Sequence, residues 1–253
     1  MPASVDFSAR VVGSQTKTFP VIEIFGPTVQ GEGPDAGSPA YFVRFGGCDY
    51  RCSWCDSMYA VEPAEVRANS DHLDSEAILA RVNDLEDGPS LVVLSGGNPA
   101  LLDLSQLVAG LQARGLAVAV ETQGSVWRPW LGQVDQLVVS PKGPSSGMAT
   151  AKHRRQFEGF MTAAQAAQQE ASLKIVVFDE ADLSYATEIA AQYRSPMYLS
   201  AGTDLGLSES ETIDAVRERY RWLCERVARC RALTNARVLP QLHVLAWGTA
   251  RGV

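Results

Sequence analysis

AYFVRFGGCDYRCSWCDS, residues 40–57, runs from a strand-like apolar segment straight into a loop that carries three of the five cysteines of the chain. Arg44 alternates with the apolar residues of 40–45, as a polar residue does on a strand with two unlike faces. Cys48, Cys52 and Cys55 then follow with the spacing C-x3-C-x2-C. Three thiolates this close can hold a metal, and their softness narrows the choice to zinc, copper(I) or an iron–sulfur cluster. Structural zinc takes four protein ligands, yet no fourth cysteine is near, and His72 and His153 are distant in sequence. A 4Fe–4S cluster normally takes four cysteines. Three would leave one iron open to bind a substrate or cofactor directly. Zinc completed by a distant histidine, and a set of redox-buffering thiols, are the alternatives.

Working outward, the segments 19–26, 90–97, 116–122, 135–140, 173–178 and 196–201 read as further strands, and 28–39 as a Gly/Pro-punctuated loop. Helical patterns occupy 74–85, 101–115, about 150–170, 180–193 and 208–233, and 236–248 closes the chain as a terminal strand. From residue 40 onward six strands alternate with helices, and several are continuous apolar runs such as LVVL and LVV. That pattern predicts an α/β fold with a mostly parallel sheet covered by helices, in one domain with a core at about 20–248. In such folds chemistry gathers at the C-terminal ends of the strands. Those ends here read GGC, SGGNP, ETQG, SPKG and SAGTD, so glycines and polar residues recur along one edge of the sheet.

The composition excludes several function classes. With 46% hydrophobic and 20% charged residues the chain can bury a substantial core. A formal net charge of −7 argues against broad attraction to nucleic acid. No apolar run is long enough for a membrane span, and the N-terminus lacks the apolar core of a signal peptide, so a reducing cytoplasm is expected. Cys224 and Cys230 lie apart from the cluster. Cys230 falls on a helical stripe with Ile213, Val216, Tyr220, Leu223 and Val227, and both are expected to pack as small hydrophobes.

The cysteine loop, with Trp54 before its last cysteine, resembles the cluster loop of radical S-adenosylmethionine (SAM) enzymes, and SGGNP resembles their glycine motif. In that superfamily the amino and carboxylate groups of SAM chelate the open iron, and reductive cleavage yields a 5′-deoxyadenosyl radical that abstracts hydrogen. The wider set EIFGPTVQGEGPDAGSPAYFVRFGGCDYRCSWCDS, SGGNPALL, ETQGSV, SPKGPSS, LKIVVF and RVLPQLHVLAWG resembles the 7-carboxy-7-deazaguanine synthase family from about residue 20 to the C-terminus. The resemblance implies a partial (β/α)6 barrel. It implies conversion of 6-carboxy-5,6,7,8-tetrahydropterin to 7-carboxy-7-deazaguanine with loss of ammonia, the step that supplies 7-deazapurines such as queuosine. A 4Fe–4S cluster, SAM and Mg²⁺ would be the cofactors, flavodoxin or ferredoxin the reductant, and a homodimer the assembly.

Carried over residue by residue, Cys48, Cys52 and Cys55 would ligate the cluster and Ser57 the Mg²⁺, with Asp56 beside it to orient a metal-bound water. Ser57 stands where many relatives carry Thr. Trp54, Cys55, Asp56 and Gly97 would line SAM, together with Ser140, Pro141 and Lys142 and the strand end Ser200, Ala201, Gly202 and Thr203. Asn98 replaces the more common Glu and would offer the SAM ammonium a neutral acceptor. Glu121 and Gln123 are placed for SAM or substrate. Val29, Gln30, Gly31, Glu32, Arg44 and Ser95 would meet the pterin, Glu32 by accepting from its guanidine-like N–H pair and Arg44 by binding its carboxylate. Gln241, His243 and the Val253 carboxylate would close on the substrate from the terminal strand. The rival readings are an activase of a glycyl radical enzyme and a non-catalytic zinc or iron–sulfur module. The QGEG of residues 30–33 and the C-terminal PQLHVLAWG count against the first, and polar motifs at five strand ends against the second.

Overall fold

A computed structural model of the chain describes residues 17–86, 88–248 and 250–253. Most of the N-terminal stretch read for a signal peptide lies outside the described residues. The strands are β1 (Phe19–Val29), β2 (Pro39–Phe45), β3 (Asp71–Leu73), β4 (Leu91–Gly96), β5 (Ala117–Thr122), β6 (Gln136–Val139), β7 (Ala171–Val177), β8 (Met197–Ala201) and β9 (Ala236–Leu239). The helices are α1 (Pro63–Asn69), α2 (Ser75–Asn83), α3 (Ser105–Gln112), α4 (Ala151–Ala166), α5 (Glu180–Gln192), α6 (Glu209–Ala228) and α7 (Leu242–Trp247). The nine strands among the described residues join one sheet in the order β3-β1-β2-β4-β5-β6-β7-β8-β9. Pairing is parallel from β2 through β9, while β1 lies antiparallel to both β2 and β3.

Alternation along each strand separates two unlike faces. Val43, Phe45, Val92, Leu94, Val118, Val120, Leu173 and Ile175 point outward into a continuous apolar core shared with residues of α2, α3, α4 and α5. Phe42, Arg44, Ser95, Glu121, Lys174 and Val176, on the other face, line a cavity. The turn Gly33–Asp35, in the β1–β2 connection, packs against β7 and β8, so the sheet curls until its two sides meet across that turn. The result is the partial barrel expected. Six parallel strands, β2 and β4 to β8, form its body, and β9 adds a seventh.

Several boundaries differ from the sequence reading. The terminal strand of 236–248 stops at Leu239, and α7 follows. Pro240 has no N–H to continue a ladder, and Gln241 in extended conformation caps a helix instead. The charged stretch after the cysteine loop contains α1 and β3, and β1 runs on to Val29 into what reads as loop. The helix expected over 208–233 breaks after Ala228, so Cys230 sits in the link to a short turn at 231–233, still packed on the core. Between β5 and β6 the crossover carries only a 3-10 turn, Pro129–Gln133. Trp130 and Leu131 there fill the place a helix would occupy against the sheet.

Candidate active site

The cavity at the C-terminal strand ends holds about 300 Å³. Its floor is the cysteine loop, and close backbone contact fixes that loop to β4. The Gly97 N–H donates to the Phe45 carbonyl at 3.0 Å, and the Asn98 N–H to the Gly47 carbonyl at 2.8 Å. A Cβ on Gly97 would lie 2.1 Å from the Gly47 oxygen, and one on Gly96 2.1 Å from the Phe45 oxygen. Only glycine fits at this crossing, which explains the SGG end of the strand. On its far side the loop rests on residues 145–148. The Ser53 N–H donates to the Ser146 carbonyl at 3.0 Å and the Trp54 indole N–H to Ser145 Oγ at 2.9 Å. Asp182, fully buried, holds that second loop by accepting from the Ser145 and Phe178 N–H groups at 3.0 and 2.9 Å.

Cys48, Cys52 and Cys55 all line the cavity. Burial, foremost among the causes, pushes each thiol up from its ordinary value. They are therefore protonated until a metal takes the proton's place. Among the described residues no three His, Cys, Asp or Glu side chains converge on one point as a single ion requires. Three thiols lining one cavity are a donor set that an iron–sulfur cluster accepts, each ligand binding a different metal atom.

Beside the thiols Ser57 Oγ donates to Asp56 Oδ1 at 2.7 Å and accepts from Arg44 Nη1 at 3.3 Å. One hydroxyl and one carboxylate are a donor set for an oxygen-seeking ion that keeps waters, as Mg²⁺ does. The Arg44 guanidinium is itself set by Glu23, whose Oε1 accepts from Arg44 Nε at 2.5 Å and from the Tyr59 hydroxyl at 3.1 Å. Opposite, Lys142 donates to Ser140 Oγ at 2.9 Å and sits 5.5 Å from the centre of the Trp54 ring.

The remaining wall is charged. Lys174 on β7 donates to Glu32 Oε2 at 2.8 Å and Glu121 Oε2 at 3.0 Å. Gln30 donates to Glu121 Oε1 at 3.0 Å and Gln241 to Glu32 Oε1 at 2.9 Å, while the Thr203 hydroxyl donates to Gln241. Burial, the largest single cause, would raise the Glu32 carboxyl, but the Lys174 ammonium, His243 and the Gln241 amide together outweigh it and hold the group at about 2. Lys174 is raised in turn, because its two carboxylates outweigh its own burial. α7 docks here through the Leu242 N–H to the Gly31 carbonyl at 3.1 Å, with His243 packed on Gly31. Ser95 Oγ is buried beside the cavity with no hydrogen-bond partner among the described residues, an orphan acceptor and donor that a ligand would satisfy.

The structure brings together most of the residues singled out from sequence: Val29 to Glu32, Arg44, the three cysteines, Trp54, Asp56, Ser57, Ser95, Gly97, Glu121, Gln123, Ser140, Lys142, Thr203, Gln241, His243 and Val253 all line the cavity. Five do not. Asn98 is turned inward, and its oxygen accepts from the Thr122 hydroxyl at 2.8 Å and the Ala100 N–H at 3.2 Å, so it organises the loop rather than facing a ligand. Pro141 faces a small separate pocket with Tyr50 and His153. Ser200 and Ala201 are fully buried, and Gly202 packs beneath the Phe178 ring. Gln241 and His243 reach the cavity from α7, not from a strand. Lys174, Tyr59, Phe178 and Arg251 belong to the lining and were not foreseen. For Lys174 a signal existed: it is the one charged residue of LKIVVF, placed where that strand turns toward the inner face.

Fold, cysteine loop and the relatives named next together define the class, an enzyme of the radical SAM type. No family model matches the chain. A 7-carboxy-7-deazaguanine synthase of Bacillus cereus is 39% identical over 244 residues, covering 93% of this chain and 99% of that protein. The synthase of Bacillus subtilis is 40% identical over 244 residues, with 94% and 99% covered. The chain belongs to the 7-carboxy-7-deazaguanine synthase family. The crystal structure of QueE from Escherichia coli shares the fold, with a TM-score of 0.62 at 24% identity over 89% of this chain and 95% of that one. Family membership sets aside both the activase and the non-catalytic module. Among the described residues no helix is long and apolar enough to cross a membrane.

Proposed function

We infer that the chain forms 7-carboxy-7-deazaguanine from 6-carboxy-5,6,7,8-tetrahydropterin by ring contraction with loss of ammonia. The observation that carries this reading is a single cavity with thiols on its floor and a carboxylate-rich wall, in a chain of the synthase family. Cys48, Cys52 and Cys55 would hold a 4Fe–4S cluster. Gly97, Ser140, Lys142, Trp54 and Thr203 would hold SAM against it. Bound there, the cluster and SAM would supply the removal of one hydrogen atom from the substrate. The protein's share is binding, orientation and exclusion of water.

Glu32 and Glu121 are ready to accept from the amine and ring N–H of a pterin, since each carboxylate has about four acceptor sites and spends two on its neighbours. The guanidinium of Arg44, with its Nε edge on Glu23, turns Nη1 toward Ser57, so a substrate carboxylate there would meet both the arginine and a Mg²⁺ held by Ser57 and Asp56. The tail closes the mouth. The Arg251 guanidinium lies 3.5 Å from the centre of the Tyr59 ring, and Val253 lines the cavity. A one-electron donor such as flavodoxin or ferredoxin, a homodimeric assembly and a cytoplasmic setting complete the proposal.

Anaerobic metal analysis with a SAM-cleavage assay tests it. Iron and sulfide at about four per chain, with 5′-deoxyadenosine formed by the wild type and not by Cys52→Ala, support the reading. Zinc in place of iron would contradict it.

A further inference from the structure

Lys174 has no part in the chemistry outlined above, yet it is the hub of the cavity wall. Its side chain is 6% exposed and joins residues 142 and 53 positions away in sequence. Each of its carboxylate partners is completed by a glutamine amide, Gln241 for Glu32 and Gln30 for Glu121. The Glu32 N–H also donates to Gln30 Oε1 at 3.2 Å, closing the ring of contacts. Four separate segments are thus tied to one ammonium: the β1–β2 connection, β5, β7 and the start of α7.

Two carboxylates facing one another in a buried cavity repel, and without a cation one of them would take a proton. A protonated carboxyl spends an oxygen as donor, where a pterin edge with an amine beside a ring N–H requires acceptors. Next to those two donors the same edge carries a carbonyl oxygen. An ammonium has three N–H groups. Two of them are taken by Glu32 and Glu121, and the third has no partner among the described residues.

We propose that Lys174 is the specificity-determining residue of the substrate subsite, its ammonium holding Glu32 and Glu121 as a paired acceptor and presenting its third N–H to the adjoining carbonyl. The wall then offers two carboxylate acceptors for the amine and ring N–H and one ammonium donor for the carbonyl, and so selects an amino-lactam heterocycle over one lacking the amine or the carbonyl. This rests on the functional reading above.

The test is anaerobic calorimetry of 6-carboxytetrahydropterin, and separately of SAM, binding to the cluster-loaded protein. Wild type comes first. If it does not bind the pterin, the functional reading itself fails. Given binding, Lys174→Met is expected to weaken the pterin by about ten- to a hundredfold, the worth of a charge-assisted hydrogen bond, and to leave SAM affinity unchanged. In turnover the KM for the pterin rises by the same factor, whereas a general loss of structure would lower SAM affinity too. Should Lys174→Met fail to fold, the double variant Lys174→Met/Glu121→Gln removes one buried charge with its cation, and is expected to fold and still lose pterin affinity. Pterin affinity within twofold of wild type in whichever variant folds overturns the proposal, as does a parallel loss of SAM binding.

Discussion

Replacing Gly97 by Ala puts the contact between β4 and the cysteine loop to a direct test. The added Cβ would stand 2.1 Å from the Gly47 oxygen and 2.9 Å from the Ala60 oxygen. Both are backbone atoms, so no side chain can rotate away, and the loop must move by about 1 Å to restore van der Waals contact. That shift breaks the 2.8 Å bond from the Asn98 N–H to Gly47 and strains the 2.7 Å bond from the Gly47 N–H to Ala60. Overpacking of about 1–3 kcal/mol and a hydrogen bond worth about 1 kcal/mol give a loss of roughly 2–4 kcal/mol. For a chain of this size each kcal/mol lowers Tm by about 2–4 °C. Cys48 is the next residue along, so iron content after anaerobic reconstitution should fall with Tm. The control is Gly159→Ala within α4, where an added Cβ meets nothing within 4 Å. There the helix should gain up to about 1 kcal/mol and iron content should hold. A Gly97→Ala protein with wild-type Tm and full iron would refute the close approach and the explanation of SGG built on it.

Three further outcomes are expected. Ser57→Ala should lose the response of turnover to added Mg²⁺ while keeping iron content and SAM cleavage; titration of Mg²⁺ into both proteins decides, and an unchanged response would remove Ser57 from the metal site. Asp182→Ala strips two part-buried N–H groups of their acceptor, which should cost about 2–3 kcal/mol in urea denaturation. For Glu32 the folded pKa lies below the ordinary value of 4.5, at about 2. Its contribution is therefore complete above pH 4.5 and drains away as pH falls toward 2, an upper bound of about 3 kcal/mol. Glu32→Gln should flatten stability against pH within that acid window and leave the slope above it unaltered.

What could be read from sequence, and what could not, divides along the range of the interactions. The cysteine loop, the glycine ends of β4 and the apolar runs of the parallel strands are local patterns, and the structure reproduces them. Lys174 is different, because its partners Glu32 and Glu121 are brought to it only when the sheet curls, and nothing near it in sequence signals a pair of carboxylates. Asn98 stands in a motif associated with SAM, but its 1% exposure and its bonds to Thr122 and Ala100 follow from the β5 end beneath it, which no local pattern encodes. The α7 segment reads as a strand because its residues are mostly apolar. Pro240 and the docking of Leu242 on Gly31 decide otherwise. The 3-10 turn at Pro129–Gln133 takes a helix's place through the bulk of Trp130, a matter of packing volume and not of periodicity.

The most direct measurement of the central claim is product analysis by mass spectrometry after anaerobic incubation of the reconstituted protein with SAM, dithionite, Mg²⁺ and 6-carboxytetrahydropterin. The account predicts 7-carboxy-7-deazaguanine, absent when SAM is omitted or Cys52 is replaced by Ala. SAM cleaved to 5′-deoxyadenosine with the pterin recovered intact would contradict it.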